Sequence, residues 1–416
     1  MADLAVELYG STVGYLVGAD WRAFDFRATP EAIERFGLGS TIVSESVPLE
    51  ARALPRHSGR RRTYFSELLP EGRLLTRLAS QAGLEANDVI GILRRYGRDL
   101  AGALQIYDPD APGEPRIPRT SPLTDATIGR MLRDASLAPL GNDRLTGRTS
   151  LGGVQDKIVL ARVGDEWHQV HDGAPSTHIV KVSPEERPSL VFDEEYGARA
   201  ARALGLAHFD TRIENFDGVR ALVVERYDRD PAVPGGRIHQ EDANQALGAY
   251  GAMKYEGSGS PVSLLRIADI FRQYGDRESQ RRLLTQLSLA VAFGNLDMHA
   301  KNLSILHRPA PDGGRAPDPT LAPTYDMVPL RHHLGHRGLA MSVAGETDHS
   351  KVTAEDLAAE GESWGLRGAD AIVAEALATT AAFVAAERPA RGAFAGLRDD
   401  VGRFTNRLMA GDPVGE

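Results

Sequence analysis

The 416-residue chain contains no cysteine. Disulfide bonds, thiolate metal ligands and cysteine nucleophiles are therefore excluded together. Histidine is also scarce, with 12 residues in the whole chain, so a structural zinc centre is not expected. The chemistry of this protein must come from carboxylates, amides, hydroxyls and basic side chains.

Long hydrophobic runs are lacking as well. Nowhere do about 18 apolar residues follow one another, which is roughly what a membrane-spanning helix needs. The first nine residues place acidic side chains inside what would have to be the apolar part of a signal peptide, so no signal peptide is readable. The sequence predicts a soluble cytoplasmic protein with no membrane partner.

Positive charge is in deficit. The formal net charge is −9, which argues against a protein that coats nucleic acid by charge alone. Hydrophobic residues make up 42% of the chain and charged residues 25%, as in ordinary globular proteins, so disorder is not expected. A chain of 416 residues is long for a single core, which predicts two or three lobes.

The hydrophobic pattern changes along the first third of the chain. Residues 3–50 alternate apolar and polar positions in short runs separated by glycine, which predicts strands and hairpins. From residue 64 to 104 the period is helical and predicts a pair of helices packed on the strands. Residues 108–122 hold five prolines, which indicates a linker.

The rest of the chain has sheet character first and helical character afterwards. Strands are predicted at 157–163, 178–182 and 221–227, with a helix at 192–204, and helices at 241–247, 264–274, 281–293 and 371–387. This order predicts an α+β, two-lobed protein-kinase-like fold with an extra N-terminal α/β subdomain and a largely helical C-terminal lobe. The expected domains are the N-terminal subdomain (1–108), a linker (109–140), the kinase N-lobe (141–228) and the C-lobe (229–416).

The most informative motif is D-x-x-x-x-N, in which Asp297 precedes Asn302. A carboxylate that orients a hydroxyl nucleophile and an amide that holds a divalent metal must reach the same small space, and one loop can deliver both. Asp326 adds a second carboxylate downstream. Because Mg²⁺ takes one or two protein carboxylates and leaves its other positions to phosphates and water, the three residues predict a Mg-nucleotide site.

Two further segments carry candidate phosphate ligands. Residues 150–157 include adjacent glycines, whose backbone N–H groups can approach phosphate oxygens, although a hairpin turn is the alternative. Lys181 lies in an apolar strand, where a cation either faces water or meets anions. In kinases a strand Lys pairs with a helix Glu to aim its ammonium at the phosphates, and either Glu195 or Glu194 suits that role.

Three other segments leave alternatives open or predict nothing. Residues 225–229 end a predicted strand and are either the connector beside the adenine or a surface ion-pair cluster. The basic run of residues 52–62 is either a solvated loop or a contact for nucleic-acid phosphates or an acidic partner. His332, His333 and His336 suggest a metal, but their segment has no matched carboxylate, so no metal site is predicted there.

Together the motifs resemble those of the HipA-type serine/threonine kinases, the toxin components of bacterial type II toxin–antitoxin systems. The resemblance covers nearly the whole chain. In the N-terminal portion it rests on residues 65–72 and 96–104. In the kinase portion it rests on six segments in the family's order: 150–157, 176–181, 224–229, 239–248, 294–304 and 321–326.

The resemblance implies a role for each matching residue. Asp297 would be the catalytic base that orients the substrate hydroxyl, assisted by Lys181 and Asn302, while Asn302 and Asp326 would hold Mg²⁺. Lys181 would pair with the phosphates of ATP and with Glu195. The implied ATP-binding residues are Gly152, Gly153, Val154, Gln155, Asp156, Lys157, Lys181, Glu225, Arg226, Tyr227, His299, Ala300, Lys301, Asn302, Tyr325 and Asp326.

The resemblance also implies regulation and partners. Ser150 would be autophosphorylated, and an added charge of about −1.5 to −2 would inactivate the kinase by repelling ATP or by expelling the loop. The expected partners are a separate helix-turn-helix antitoxin of HipB type, operator DNA indirectly through that antitoxin, and a target protein. Aminoacyl-tRNA synthetases are the substrate class that the resemblance implies.

Two other functions fit the same motifs. A small-molecule or lipid phosphotransferase on the same fold would use the same D-x-x-x-x-N motif and metal-binding Asp. A catalytically weak co-repressor that binds an antitoxin–DNA complex is a third hypothesis. The intact Lys181, Asp297, Asn302 and Asp326 argue against a protein without catalysis.

Overall fold

The computed structural model describes residues 3–18, 22–134, 140–142, 146–152, 155–310, 316–333, 335 and 337–415. The chain divides into two compact units. The first combines Met1–Val182, Glu214–Glu241 and Leu306–Pro317, and the second combines Ser183–Ile213, Asp242–Ile305 and Asp318–Glu416. Each unit therefore draws on three separate stretches of sequence.

The first unit begins with a four-stranded sheet. Its strands are β1 (Leu4–Leu8), β2 (Ser11–Val17), β3 (Asp25–Ala28) and β4 (Gln105–Tyr107), in the order β3-β2-β1-β4. Leu4, Val6 and Leu8 are fully buried, as alternate positions on one face of a strand should be. A Cβ on Gly14 would meet the ring of Phe26 at 2.2 Å, so the close approach of β2 and β3 requires glycine.

Four helices lie in the same N-terminal region. They are α1 (Pro30–Phe36), α2 (Ser58–Ser66), α3 (Gly72–Ala82) and α4 (Val89–Tyr96). The sequence predicts a helical pair from residue 64, whereas the structure has three helices from residue 58. The basic run makes α2 difficult to predict from hydropathy. Arg61 lies on the buried side of this helix and pairs with Asp25 (2.6 Å) and Glu50 (2.9 Å). A search for apolar periodicity overlooks a helix that buries an arginine.

The other sheet of the first unit has six strands. They are β5 (Arg119–Pro122), β6 (Lys157–Val163), β7 (Glu166–His171), β8 (His178–Lys181), β9 (Thr211–Phe216) and β10 (Val219–Glu225), in the order β5-β7-β6-β8-β10-β9. Helix α5 (Asp125–Arg133) contributes Ile128 and Leu132 to a core shared with Ile158 and Leu160. The predicted strand at 157–163 thus matches β6 in both of its bounds.

The stretch expected to be a linker contains two regular elements, β5 and α5. The last four residues of the proline-rich segment form β5, where Ser121 pairs with Gln169 of β7. Strand β5 is at the edge of its sheet, where a residue without an N–H group, such as Pro122, is tolerated. The four domain boundaries given above stay a prediction.

The second unit is largely helical. Its helices are α6 (Leu190–Ala203), α7 (Ala243–Ala246), α8 (Leu264–Gln273), α9 (Arg277–Phe293), α10 (Ala354–Ser363), α11 (Ala369–Ala386) and α12 (Leu397–Met409). It also holds β13 (Thr320–Leu321), β14 (Gly338–Val343) and β15 (Glu346–Asp348), while β11 (His239–Asp242) and β12 (Ser304–His307) cross the unit boundaries along the chain. Helix α9 is central, since it contacts α6, α8, α10, α11 and α12.

One helix among the described residues, α11, is long and apolar enough to span a membrane by length and composition. In the structure it packs against α9, α10 and α12. The ring of Phe383 lies 5.0 Å from that of Tyr196 and 6.3 Å from that of Phe293, and Thr380 is fully buried. Helix α11 is therefore a core helix of the second unit.

The α+β class predicted from the sequence is confirmed. The helix predicted at 241–247 is shorter in the structure, where it covers only Ala243–Ala246. Glu241 belongs to β11, and Asp242 caps the helix in a capping box with Gln245. A good capping residue sets the start of a helix more firmly than apolar spacing does.

Candidate active site

The D-x-x-x-x-N segment begins where α9 ends. Gly294 caps the helix in the left-handed conformation (φ 64°), and a Cβ there would meet the Cβ of Arg331 at 2.8 Å. The carbonyl of Gly294 accepts hydrogen bonds from the N–H groups of Leu330 and Arg331, both at 3.0 Å. This glycine therefore joins the D-x-x-x-x-N motif to the segment that follows Asp326.

Asn295 connects the two predicted functional carboxyl residues. Its Oδ1 accepts the N–H of Asp297 at 3.0 Å, and its Nδ2 donates to the carbonyl of Asp326 at 3.4 Å. The side chain is buried, so neither bond competes with bulk water. No role for Asn295 was predicted from the sequence, where its one signal is a polar amide two positions before Asp297.

Asp297 and Asn302 share one hydrogen-bonded loop. The Nδ2 of Asn302 donates to the carbonyl of Asp297 at 2.8 Å, and its N–H donates to the carbonyl of His299 at 2.9 Å in the 3-10 turn Ala300–Asn302. Because its amide nitrogen is committed, the oxygen is the side-chain atom through which Asn302 can meet a cation. The Asp297 side chain is 42% exposed, so its carboxylate is accessible to a substrate.

Two aromatic side chains lie beside the Asp297 carboxylate. The Tyr255 hydroxyl donates to Oδ1 at 3.2 Å, and His299 Nε2 lies 3.9 Å from Oδ2. The two rings meet edge to face, with centroids 5.4 Å apart. Burial lowers the pKa of His299 more than the nearby Asp297 charge raises it, so this imidazole is neutral near pH 7. The contact of Tyr255 with Asp297 was not predicted from the sequence, because the two residues lie 42 positions apart.

Asp326 has an unusual backbone conformation that its neighbours maintain. Its φ is 49°, in the left-handed region that few non-glycine residues adopt. The Tyr325 hydroxyl donates to the carbonyl of Lys301 at 2.7 Å and lies 2.7 Å from Ser304 Oγ, and the Thr324 N–H donates to the carbonyl of Leu206 at 2.9 Å. Strain held in place by several anchors is typical of functional sites.

A cleft of about 420 Å³ opens beside Asp297 in the second unit. Its wall combines one carboxylate and one guanidinium with backbone and apolar groups. The lining residues are Arg187, Tyr255, Leu296, Asp297, Leu330, Gly338, Leu339 and Ala340. A cleft of this size and composition suits a segment of a polypeptide or a small organic molecule.

The glycine-rich segment belongs to the first unit. Ser150 is fully buried, its N–H donates to the carbonyl of Asp99 at 3.0 Å, and its hydroxyl donates to the carbonyl of Leu68 at 3.4 Å. The Thr149 hydroxyl donates to Asp99 Oδ2 at 3.2 Å. Of the predicted ATP-binding residues in this segment, Gly153 and Val154 lie outside the described residues. The predicted acceptor Ser150 is thus inaccessible to a kinase in this conformation.

Two lysines face each other beyond that segment. Lys157 of β6 and Lys181 of β8 are direct cross-strand partners, and both are buried. The ammonium of Lys157 donates to the carbonyl of Gly152. Next to it, Gln155 donates to the carbonyl of Val182 at 3.1 Å, and Asp156 pairs with Arg77 at 2.7 Å. Two buried cations therefore lie at the same point of the sheet, next to the glycine-rich segment, and the assignment of phosphate to them stays a prediction.

Both candidate partners of Lys181 lie in α6. Glu194 and Glu195 are buried, and Glu195 Oε1 accepts a hydrogen bond from Arg199 at 2.8 Å. The pairing of either carboxylate with Lys181 stays a prediction.

The segment 225–229 contributes Arg226, Asp228 and Arg229 to a buried ion cluster, so the surface ion-pair alternative is wrong for these three residues. Glu225 is exposed. Arg226 donates to Asp228 at 2.9 and 2.7 Å, to Ser176 and to the carbonyl of Leu100, and its side chain is 2% exposed. Burial alone would raise the pKa of Asp228, but Arg226 and Arg229 outweigh burial and hold it far below its usual value. The backbone N–H of Arg226 donates to the carbonyl of Thr177 at 2.9 Å. The Arg226 side chain therefore supports the fold.

Comparison with known proteins places these features in a family. Two family models match the chain, the HipA N-terminal domain at residues 4–107 and the HipA-like C-terminal domain at residues 149–385. The chain belongs to the HipA family. The C-terminal match includes Ser150, Lys181, Asp297, Asn302 and Asp326.

Similar HipA-family proteins are named as kinases. The Serine/threonine-protein kinase toxin HipA of Shewanella oneidensis is 29% identical over 342 residues, which are 78% of this chain and 75% of that protein. The protein Y4mE of Sinorhizobium fredii, whose name gives kinase as a provisional description, is 34% identical over 293 residues, which are 68% of this chain and 67% of that protein. Kinase activity is thereby supported at the level of the family.

A solved structure shows the same fold. It contains HipA and HipB of Shewanella oneidensis with their operator DNA, and the match has a TM-score of 0.74 at 24% sequence identity. It covers 98% of this chain and 96% of the other. The kinase-like fold predicted from the sequence is therefore confirmed for this HipA-family chain.

Proposed function

We propose that this HipA-family chain is an ATP-dependent protein serine/threonine kinase with Asp297 as its catalytic base. One observation carries the proposal: Asn295 and Asn302 hold Asp297 and the Asp326 segment in a single hydrogen-bonded frame. That frame leaves the Asp297 carboxylate accessible at 42% exposure. In phosphoryl transfer the protein mainly positions the reacting groups and stabilises the negative charge on the phosphates. The hydrogen-bonded frame positions the carboxyl groups.

In the proposed reaction, the oxygen of a serine or threonine hydroxyl bonds to the γ-phosphorus of ATP. The bond between that phosphorus and the bridging oxygen breaks, ADP leaves, and the hydroxyl proton passes to Asp297. Because Tyr255 already donates to Oδ1, we assign the proton to Oδ2. The neutral His299 lies beside Oδ2 without adding a positive charge that would weaken the base.

We assign Asn302 and Asp326 to Mg²⁺. An amide oxygen and a carboxylate are hard oxygen donors, the kind that Mg²⁺ binds together with phosphate and water. When bound, Mg²⁺ offsets negative charge on the phosphates. The left-handed backbone at Asp326, anchored through Tyr325, fits a carboxylate whose direction must be maintained.

The proposed phosphate ligands come from the first unit. The buried Lys157 and Lys181 face each other across two strands, and the glycine-rich segment precedes Lys157 directly. In this proposal Glu195 or Glu194 pairs with Lys181. The remaining assigned contacts to ATP follow the resemblance: Gly152, Gly153, Val154, Gln155 and Asp156 at the phosphates, Glu225, Arg226 and Tyr227 at the adenine, and His299, Ala300, Lys301 and Tyr325 along the nucleotide.

Autophosphorylation of Ser150 is part of the proposal. Phosphorylation removes the hydroxyl proton that Ser150 donates to the carbonyl of Leu68, and it adds three oxygens and about −1.5 to −2 charges at a fully buried position. The modified segment would have to leave its observed position. We propose that this change stops the kinase after it has acted on itself.

The proposed partners follow from the family and from the similar solved structure. That structure joins the Shewanella oneidensis HipA to HipB and operator DNA, so we propose a HipB-like antitoxin for this chain and indirect contact with an operator. We place the protein in the cytoplasm as the toxin of such a pair. The proposed target is a protein with an accessible serine or threonine, with an aminoacyl-tRNA synthetase as the class that the resemblance implies.

The experiment is incubation of the purified full-length protein with Mg-ATP, followed by phosphosite mapping by mass spectrometry. We expect phosphate on Ser150 in the wild type and none in Asp297→Asn, which removes the base and keeps the shape of the side chain. Loss of a general base lowers the rate by about 10²- to 10⁴-fold. Ser150→Ala should retain activity for longer than the wild type during the same incubation.

Three outcomes would contradict parts of this proposal. Binding of ATP with no transfer to any protein would favour the co-repressor hypothesis. Transfer to a metabolite or lipid, with no phosphoprotein formed, would favour the small-molecule phosphotransferase. If Ser150→Ala lost activity at the wild-type rate, the proposed self-inactivation through Ser150 would be wrong.

A further inference from the structure

Three side chains of the types that bind metals converge in the second unit. Asp193 comes from α6, and His332 and His333 come from the segment after Asp326. The Nε2 atoms of the two histidines lie 3.1 and 3.0 Å from the same oxygen, Asp193 Oδ2. Among the described residues this is the one group of three His, Asp or Glu side chains found to converge in this way.

The spacing of the cluster suits a small divalent ion. The three ligand atoms all lie within 4.8 Å of one another. Bonds of about 2.0–2.2 Å to a tetrahedral Zn²⁺ separate its ligand atoms by roughly 3.3–3.6 Å. The observed separations of 3.0 and 3.1 Å would therefore have to widen by only about half an ångström or less to admit the ion.

The surroundings hold the cluster in place. Ser189 Oγ donates to Asp193 Oδ2 at 2.8 Å, and the Phe394 N–H donates to Oδ1 at 2.8 Å. The His332 ring stacks on Phe394 with centroids 4.1 Å apart and an angle of 11° between the planes. Carboxylates that bind metals are typically oriented by hydrogen bonds of this kind. His336 lies outside the described residues.

Asp193 is shielded from water as well as oriented. Its side chain is 0% exposed, so the hydrogen bonds from Ser189 and Phe394 do not compete with solvent.

We propose that Asp193, His332 and His333 bind a divalent transition-metal ion, with Zn²⁺ as the expected occupant. Two imidazoles and one carboxylate suit Zn²⁺ and its neighbours in the first transition row, whereas Mg²⁺ selects oxygen ligands. The site is thus chemically distinct from Asn302 and Asp326. It does not depend on the proposed kinase reaction.

The ion would tie α6 to the segment that carries Asp326. Arg331, the neighbour of His332, donates its N–H to the carbonyl of Gly294 at the start of the catalytic loop. A bound ion would therefore stabilise both the packing of α6 and the path of the chain from Asp326 to His333.

Hydrogen bonding is the simpler account of the same geometry. In that account each imidazole donates its Nε2–H to Asp193, and the cluster does not bind metals. The two accounts differ in one measurable respect, since only a metal site gains ligand-field absorption with Co²⁺ and loses it to Zn²⁺.

The test uses the full-length protein without an affinity tag, treated with a chelator and titrated with Co²⁺ in excess Mg²⁺. We expect visible ligand-field bands that saturate at about one Co²⁺ per chain and disappear when Zn²⁺ is added. His332→Ala and His333→Ala should each weaken binding by more than the roughly 10- to 100-fold that loss of an outer-shell partner costs. His208→Ala is the matched control, because His208 is an exposed histidine of the same unit.

The variants also separate this site from the catalytic one. Asp326→Asn should leave the Co²⁺ spectrum unchanged, and Zn²⁺ should raise the melting temperature of the wild type but not that of His333→Ala. The proposal is overturned if the wild type shows no saturable bands, or if the His332→Ala, His333→Ala double variant keeps them. It is equally overturned if His208→Ala loses as much affinity as His333→Ala.

Discussion

The proposed catalytic loop of the second unit (Asp297–Asn302) and the ion cluster of the first unit (Asp99, Arg226, Asp228 and Arg229) use charged residues in opposite ways. Around Asp297 the partners are uncharged groups, and the carboxylate is 42% exposed. Around Asp228 every charge meets an opposite charge, and the side chains of Asp99, Arg226 and Arg229 are between 1% and 6% exposed. The first arrangement leaves a charge for a ligand, whereas the second uses its charges within the fold.

Whether a charged side chain serves a ligand or the fold depends on the partners that it has in the structure. Arg226 lies in the segment that the resemblance assigns to the adenine, yet its guanidinium is occupied by Asp228, Ser176 and the carbonyl of Leu100. Its contribution is therefore to stability. A substitution in the ion cluster should change the unfolding of the protein, and one in the catalytic loop should change its rate.

The largest effect is expected in the ion cluster. Asp228→Asn keeps the shape of the side chain but leaves Arg226 and Arg229 without their shared carboxylate, and breaking a buried ion pair costs about 3–5 kcal/mol. We expect a clear drop in the melting temperature, measured by circular dichroism. Asp165→Asn is the matched control, since Asp165 is exposed in the same unit. Equal melting temperatures for the two variants would mean that the cluster does not support the fold.

A smaller effect concerns a buried histidine of the second unit. His349 is fully buried and its Nε2 lies 2.8 Å from the carbonyl of Val291. Burial lowers its pKa from 6.5 to about 4, which outweighs the opposite effect of that hydrogen bond. Because the folded state binds fewer protons, the stabilisation is present above pH 6.5 and is lost as the pH falls through 4, by up to about 3 kcal/mol.

The measurement is the denaturant midpoint of the wild type and of His349→Gln between pH 7 and pH 4. Glutamine can still donate to the carbonyl of Val291 but does not titrate, so the variant should lose less stability on acidification. His208→Gln is the control at an exposed position. Parallel pH profiles for His349→Gln and the wild type would contradict the assignment.

The local parts of the structure are the ones that the sequence predicted well. The spacing of Asp297 and Asn302 lies within one loop, and β6 has the predicted bounds, because both depend on neighbouring residues. The bond from Asn295 to Asp326 and the convergence of Asp193 with His332 span 31 and 139 positions. A pattern of neighbouring residues in the sequence cannot predict such pairs, since their members come together only when the chain folds.

Charge patterns predict burial poorly for a related reason. The basic run predicts a solvated loop or a binding surface, which fits the exposed Arg52, Arg56 and Arg60, but Arg61 is buried and pairs with Asp25 and Glu50. The charges of residues 225–229 are compatible with a surface cluster, but Arg226 is buried. Hydropathy assumes that charges face water, and an arginine whose charge is paired violates that assumption.

In the catalytic loop, Asn295→Ala should change the rate more than the stability. It removes the bonds to the Asp297 N–H and to the Asp326 carbonyl, so both carboxyl groups lose a common support. Misplacement of a catalytic group by about 1 Å can cost roughly 100-fold, and we expect a fall in kcat of up to about 100-fold with little change in the KM for ATP.

The control for this variant is Asn406→Ala, an exposed asparagine of the second unit. Rates are measured well below the melting temperature of each variant, so that loss of folded protein does not count as loss of catalysis. If kcat fell only in proportion to the unfolded fraction, Asn295 would be a structural residue and the distinction between the two regions would not hold at this position.

The smallest effect is expected at Tyr255. Tyr255→Phe removes the hydroxyl that donates to Asp297 Oδ1 and keeps the ring that meets His299. The tyrosine is 41% exposed, so the bond competes with water, and we expect kcat to fall by only about three- to tenfold. Tyr250→Phe is the matched control, because that ring is 59% exposed in the same unit. Since the ion cluster lies in the first unit, Tyr255→Phe should leave the melting temperature unchanged. A lower melting temperature with an unchanged kcat would mean that Tyr255 supports the fold and not the rate.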